Sequence, residues 1–451
     1  MHLPKNCSLF KMALGALAAV ALLQLLYLSF LSRLHGRQQR YRYSELFGAA
    51  ARRGARPAQR DAHKERLKFS LATGGIFDGS GQYRVYKNLL QSDFSAGRRP
   101  EAPALALATH TSINNLHQLG PLLERWQAPL SVAVFAHGAD ARLATALAYA
   151  LSVFCPGVRA LVDLHLVCPS GEAASFPAED RAPFAGLGDC GGVWARLEAQ
   201  RGRLRNYALG GNVSYPNNLL RNVARGAAEE GAPYVLVADV DMVPSADLPR
   251  LFLGLLRRRR PAPREVFVVP AFEIRHARRV PAAKAELLQL YQVGEVRPFY
   301  EELCPRCQAP TNYSQWVNWR GRGAGAELEV AYTLAWTDPW EPFYIGARGL
   351  PPFDESFRQY GFNRISQSLP SLPLLSPPLS VSPLSLPQAC ELHVAGYRFS
   401  VLSSAFLVHR GFKVAGEFHA QKEEENRQNR VLFRRFKEGL KAKYPSSTRR
   451  C

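Results

Sequence analysis

The sequence predicts an α/β fold built on a sheet with ligands at its strand ends. Three observations carry that prediction. From about residue 100 onward, short apolar runs of strand length alternate with amphipathic helical patterns. Two of the apolar runs end in side chains that bind cations or phosphates, and open α/β sheets place their ligands at strand ends. The chain has 451 residues, 47% hydrophobic and 21% charged, which is enough to bury one large enzyme core or two to three domains. Gly and Pro, 34 and 32 residues, stand near average usage and exclude a fibrous or wholly disordered chain.

The elements follow from local pattern. Residues 104–109, 130–135, 161–167, 234–238 and 266–270 read as buried strands. Asp140 is a candidate cap for a helix whose Leu143, Leu147, Leu151 and Phe154 form one stripe. Pro216 suits the first turn of another helix, with Leu219, Leu220, Val223, Ala224 and Ala227 facing inward. Asn218, Arg221, Asn222 and Arg225 then form its polar side. Residues 421–443 predict a closing helix that packs through Val431, Leu432, Phe433 and Phe436.

The N-terminus has a different character. Residues 12–31 are 20 in number and carry no formal charge, the length of a membrane-spanning helix. The exit sequence after Ser29 offers no small-residue cleavage pair, which favours an uncleaved signal anchor. Lys5 and Lys11 before the segment are outnumbered by Arg33, Arg37, Arg40 and Arg42 after it, contrary to the positive-inside rule. Long domains translocate regardless of flanking charge, and sequons at Asn212 and Asn312 also favour a luminal body. The expected organisation is a cytosolic tail at 1–11, an anchor at 12–31, a basic stem at 32–69 and a catalytic body at 70–451. Residues 33–68 hold eleven Lys/Arg against three acids. The net charge of +20 predicts attraction to anions. A luminal location and the absence of basic-aromatic RNA signatures exclude nucleic acid as partner.

Residues 368–388 are almost entirely Ser, Leu and Pro. So many prolines exclude a helix or a central strand. The segment reads either as a surface insertion or, from the pyrimidine-rich codons of these residues, as a retained intron. Of eight cysteines, Cys7 falls on the cytosolic side, so at least one of the other seven is unpaired or intermolecular. Cys304-Pro305-Arg306-Cys307 lacks the second pair that zinc wants and reads as disulfide-forming, locally or at long range. Cys155, Cys168, Cys190 and Cys390 are further pairing candidates. Arg257 to Arg260 read as a solvated basic face.

The chemistry concentrates at two strand ends. Tyr234-Val235-Leu236-Val237-Ala238 runs into Asp239-Val240-Asp241, and a strand's period of two sends both carboxylates to one side. Paired hard oxygen ligands suit Mn²⁺ or Mg²⁺ on a diphosphate. Phe406-Leu407-Val408 likewise runs into His409, a candidate nitrogen ligand for the same ion. Gly411 is a candidate for close backbone approach to a phosphate, and Lys413 for neutralising it. The combination suggests nucleotide-sugar chemistry, with the leaving diphosphate's charge offset by the metal. An inverting transfer also needs a carboxylate to deprotonate the acceptor hydroxyl. Asp354 and Glu355 are the candidates, and Glu391 a weaker third.

Several long stretches then carry a resemblance: GGIFDGSGQYRVYKNLL, NYALGGNVSYPNNLLRNVAR, VADVDMVPS, VVPAFEIRHARRVP, LYQVGEVRPFY, FDESFRQYGFNRISQ, ACELHVAGY and FLVHRGFK. The chain resembles the β-1,4-glucuronyltransferases that act on dystroglycan, over roughly residues 70–451 apart from the Ser/Leu/Pro segment. The resemblance implies a type II Golgi membrane protein with a GT-A-like catalytic domain. It implies inverting transfer of glucuronic acid from UDP-glucuronate to a β-xylose on the O-mannosyl glycan of α-dystroglycan, which primes a LARGE-type polymerase, itself a candidate partner. Asp239 and Asp241 fall on the family's metal-binding motif, and Asn212 and Asn312 on its sequons. Choosing a uronate requires a cation; Arg221 is a candidate, with contact to UDP or helix stabilisation as the other readings. The rival activities are β-1,3-N-acetylglucosaminyl transfer in poly-N-acetyllactosamine synthesis and a non-catalytic Golgi scaffold. Two departures stand out. The Ser/Leu/Pro segment splits stretches that are contiguous in the family, and Asn363 and Arg364 stand where many inverting GT-A enzymes have an acid.

Overall fold

The computed structural model describes residues 23–24, 57–97, 104–172, 174–175, 184, 186–204, 214–321, 327–358, 388–414 and 422–451. Among them, fourteen strands form two sheets. In chain order they are β1 (Ile76–Phe77), β2 (Tyr83–Leu90), β3 (Leu105–Ser112), β4 (Leu130–Phe135), β5 (Val162–Pro169), β6 (Tyr234–Val237), β7 (Met242–Pro244), β8 (Glu265–Val268), β9 (Ala271–Ile274), β10 (Val296–Pro298), β11 (Val330–Leu334), β12 (Tyr344–Ala347), β13 (Arg398–Leu402) and β14 (Leu407–Arg410). The larger sheet has the order β1-β2-β5-β4-β3-β6-β12-β8-β13-β11, and the smaller β10-β9-β14-β7.

The heart of the large sheet is parallel: β5, β4, β3 and β6 run side by side. The chain winds outward from β3 through β4 to β5, then returns to lay β6 on the other flank of β3. That reversal makes the carboxyl ends of β3 and β6 a topological switch point, where open α/β sheets place their ligands. These strands read as nearly continuous apolar runs because helices cover both faces. Leu105 and Leu107 pack into the cluster that contains the helix Ala139–Phe154. Ala106 and Ala108 face the other way, against Leu219, Leu220, Val223 and Ala224 of the helix Asn217–Gly231. Small residues there let that helix lie close on the sheet. Each buried Leu, Val or Phe side chain contributes about 1.5–3 kcal/mol.

The small sheet continues the large one. Three strands pass directly from one to the other: β6 into β7, β8 into β9, and β13 into β14. The first crossing is the Asp-x-Asp stretch itself.

Several local expectations are corrected. Asp140 lies within the first turn of its helix, whose N-cap is Gly138. Pro216 is the N-cap rather than the first residue of its helix. The polar side of that helix is interior: Asn218, Arg221 and Arg225 are 0%, 5% and 7% exposed. The closing helix Lys422–Lys443 packs through Phe433, Phe436 and Leu440, while Val431 faces solvent. The arginine run is not wholly solvated, since Arg259 pairs with the buried Glu265 at 2.7 Å. Three disulfides form, Cys155–Cys190, Cys304–Cys307 and Cys390–Cys451, and Cys168 remains a buried thiol.

Among the described residues no helix is long and apolar enough to cross a membrane. The anchor at 12–31, apart from residues 23–24, lies outside them, as do most of the stem, Asn212, Asn363, Arg364 and the Ser/Leu/Pro segment up to residue 387.

Candidate active site

The Asp-x-Asp carboxylates are placed by a turn. β6 stops at Val237, and the Met242 amide donates to the Asp239 carbonyl at 3.0 Å, bending the chain before β7 begins. The strand-period argument for both carboxylates facing one way therefore does not hold. They part toward different sheets, and each remains about one-third exposed.

Asp239 belongs to the large-sheet side. Its Oδ1 lies 3.3 Å from Arg221 Nη2 and 3.3 Å from His110 Nε2. His110 stands near the end of β3, next to β6 in the sheet, and its Nδ1 meets the Tyr215 hydroxyl at 2.8 Å. Sequence reasoning missed His110 and Tyr215. A signal existed: β3 ends Thr109-His110-Thr111-Ser112, four buried polar residues finishing a central strand. Such groups are tolerated inside only when they are hydrogen-bonded or used.

Asp241 belongs to the small-sheet side. His409 Nε2 lies 3.2 Å from its Oδ2. Burial opposes the negative charge, but the His409 imidazole and the Lys413 ammonium hold the carboxyl below the usual range. His409 Nδ1 lies 2.8 Å from the Gly411 carbonyl, which accepts its proton and fixes the ring so that Nε2 faces Asp241. Gly411 also carries a steric constraint of its own. Its φ of +90° favours glycine, and a Cβ there would meet the His276 ring at 2.3 Å.

The donor set, two carboxylates and one imidazole nitrogen, suits a hard or borderline divalent cation. Among the described residues, however, no three His, Cys, Asp or Glu side chains are gathered closely enough to form a metal group. Asp241 and His409 face each other, while Asp239 is turned toward Arg221 and His110.

The candidate base carboxylates, Asp354 and Glu355, are tied to this site by one helix face. Arg221 Nη1 donates to Asn218 Oδ1 at 2.9 Å, and Asn218 Nδ2 donates to the Asp354 carbonyl at 2.8 Å. Asn222 accepts from the Phe353 amide at 2.7 Å and donates to Glu355 Oε1 at 2.9 Å. Arg225 donates to the carbonyls of Leu350 and Pro351. The buried polar side of the helix Asn217–Gly231 thus grips residues 350–355 along their length. Arg221 cannot be read as a cation awaiting a ligand: it is buried, paired with Asp239 and stacked 5.7 Å from the Phe353 ring.

The two carboxylates differ. Asp354 is 3% exposed; its Oδ1 accepts from the amide and hydroxyl of Ser356. Burial pushes its pKa up to about 7, against the bonds from Ser356. Glu355 is only half-buried, with Oε1 held by Asn222, and burial raises its pKa as well. Glu391 lies elsewhere, buried against Lys443 and Tyr444 near the C-terminus. Asn312 is exposed and caps the helix Tyr313–Asn318, accepting from the Gln315 amide at 3.2 Å.

With the geometry in place, comparison with known proteins identifies the lineage. A family model described as glycosyl-transferase for dystroglycan matches residues 104–445. The chain belongs to this glycosyltransferase family. β-1,4-Glucuronyltransferase 1 of Danio rerio is 62% identical over 457 aligned positions, covering all of both chains. Its counterpart in Homo sapiens is 52% identical over 398 positions, 88% of each chain. Xylosyl- and glucuronyltransferase LARGE1 of Homo sapiens is 23% identical over 402 positions, 87% of this chain but 42% of that protein.

Proposed function

We propose that this protein transfers glucuronic acid from UDP-glucuronate to a β-xylose on the O-mannosyl glycan of α-dystroglycan, forming a β-1,4 bond with inversion. The observation that carries the reading is the junction of the two sheets. There Asp239 and Asp241 follow the end of β6, Asp239 beside Arg221 and His110, and Asp241 beside His409 and Lys413. High identity to two β-1,4-glucuronyltransferases 1 over most of the chain supports the choice of sugar and linkage.

Mn²⁺ or Mg²⁺, held by Asp239, Asp241 and the Nε2 of His409, would supply a Lewis acid for the departing diphosphate. Arg221 and His110 hold Asp239 in place, and the Gly411 carbonyl holds the His409 ring. Lys413 adds positive charge toward the diphosphate. In the transfer, the xylose O4 bonds to the anomeric carbon as the bond from that carbon to the β-phosphate oxygen breaks. The electron pair leaves with UDP, and the hydroxyl proton passes to a carboxylate. We assign that base to Glu355, the carboxylate an acceptor can reach. Asp354, with its carboxyl buried, shapes the turn that presents Glu355.

The chain's placement in the Golgi membrane through residues 12–31, with glycans on Asn212 and Asn312, belongs to the same reading; the apolar segment and the sequons support it. Priming for a LARGE-type enzyme follows from the product.

The test is release of UDP and formation of the glucuronyl product with UDP-glucuronate and a β-xylosyl acceptor, for wild type and for Asp239→Asn and Asp241→Asn. Loss of activity in both variants and in chelator is expected. Full activity in the variants would overturn the site. Preference for UDP-N-acetylglucosamine and a lactosamine acceptor would favour the β-1,3 transfer instead.

A further inference from the structure

Outside the residues just assigned, several buried acids have no role in the chemistry, and one of them contacts a residue of the site. Glu273, on β9, is 0% exposed. A buried carboxylate is retained only when it is paired and its lone pairs are used. Its partner is Arg297 of β10, whose Nε donates to Glu273 Oε2 at 2.9 Å. The Tyr300 amide donates to Oε1 at 2.9 Å.

The remaining bonds point toward the site. The amide of Lys413 donates to Glu273 Oε2 at 3.1 Å, and Arg297 Nη2 donates to the Lys413 carbonyl at 2.8 Å. The acid and the base thus hold the two backbone polar atoms of a single residue. That residue lies beyond the last rung of the β9–β14 ladder, Arg410 opposite Ile274. Among the described residues, no other group bonds its N–H or C=O. The preceding Phe412 ring is fixed too, with the Arg297 and Arg275 guanidinium carbons 4.3 and 5.0 Å from its centroid. The ladder places Glu273 directly opposite His409, so the acid of the clamp sits on the strand next to the imidazole that faces Asp241.

We infer that the Glu273–Arg297 pair is a positioning device for the donor diphosphate: it fixes the backbone of Lys413 so that the ammonium meets the phosphates beside Asp241. The inference rests on the reading that Lys413 faces a nucleoside diphosphate. It adds two residues to that site that need not touch the ligand. An ammonium on a four-carbon stem loses rotamer entropy on binding, and anchoring its backbone lowers that cost.

The test is a double-mutant cycle on the full chain, reading equilibrium binding of UDP and of uridine with MnCl₂ present. Lys413→Ala is expected to weaken UDP about tenfold and leave uridine unchanged. Glu273→Gln and Arg297→Lys are each expected to weaken UDP by about the same factor, again without changing uridine. Either change made on top of Lys413→Ala should add nothing. Should Glu273→Gln fail to fold, as a melting curve would reveal, Arg297→Lys carries the cycle alone. If Lys413→Ala weakens UDP but the clamp variants leave it intact, or multiply with it, or weaken uridine equally, the positioning role is refuted and the reading of Lys413 survives. If Lys413→Ala itself binds UDP normally, the reading of Lys413 fails and takes the clamp's role with it.

Discussion

Asp239 and Asp241 are two residues apart and lie in different neighbourhoods. Asp239 leans on the large sheet, where a buried guanidinium and an imidazole meet one of its oxygens. Asp241 leans on the small sheet, where a histidine with a fixed ring faces it. The large-sheet half is connected through Arg221 and Asn218 to the turn that carries Asp354 and Glu355. The small-sheet half is connected through Lys413 to a buried ion pair. The difference teaches that the motif is a joint: one carboxylate is coupled to the turn at residues 350–355, and the other to the strand that carries His409 and Lys413. A shift between the sheets would separate the two carboxylates and disturb both couplings together.

The comparison can be broken most severely at Glu355. Glu355→Gln should lower kcat about 10²–10⁴-fold while UDP binding stays intact, because only proton removal is lost. In the wild type, activity should rise with pH through the raised Glu355 pKa, since the base must be ionised to act. That limb should vanish in the variant. An unchanged kcat would move the base elsewhere.

Next come the aspartates. Asp241→Asn is expected to cost a hundredfold or more, roughly, in kcat/KM and to abolish the dependence of UDP binding on added Mn²⁺. A smaller effect is expected from Arg221→Lys, about ten- to hundredfold, because it removes the support of a ligand and leaves the ligand present. If Arg221→Lys raised only the acceptor KM, the large-sheet half would be an acceptor element alone.

The smallest effect is on stability and concerns Asp354. Its folded pKa of about 7 lies above the ordinary 3.8, so the folded state binds the extra proton. Stability contributed by the protonated form is therefore lost as pH rises from about 4 to about 7. Asp354→Asn cannot ionise, so its melting temperature relative to wild type should be higher at pH 8 than at pH 5. A difference that does not change with pH would show that Asp354 is not held protonated.

Legibility in the sequence varied with the range of the interaction. The strands Leu130–Phe135 and Tyr234–Val237 were readable from local apolar runs, and the candidate metal and acceptor-side residues were named from strand ends and paired acids. That the polar side of the helix Asn217–Gly231 is buried is not legible in the sequence, because periodicity shows that a face is polar but not what covers it. Residues 350–355 cover it, and they come from more than a hundred positions away. For His110 the polar run that ends β3 marks the place, but its partner Asp239 is set only when β6 is laid beside β3.

By itself, then, the chain determined its elements and its chemical inventory, since backbone preference and side-chain type act over a few residues. Only the tertiary structure decided which aspartate faces which partner, that Arg221 is committed to Asp239, and that Glu273 and Arg297 hold Lys413. Those choices depend on strand order and on which charges can be buried together, and both are set when distant segments pair.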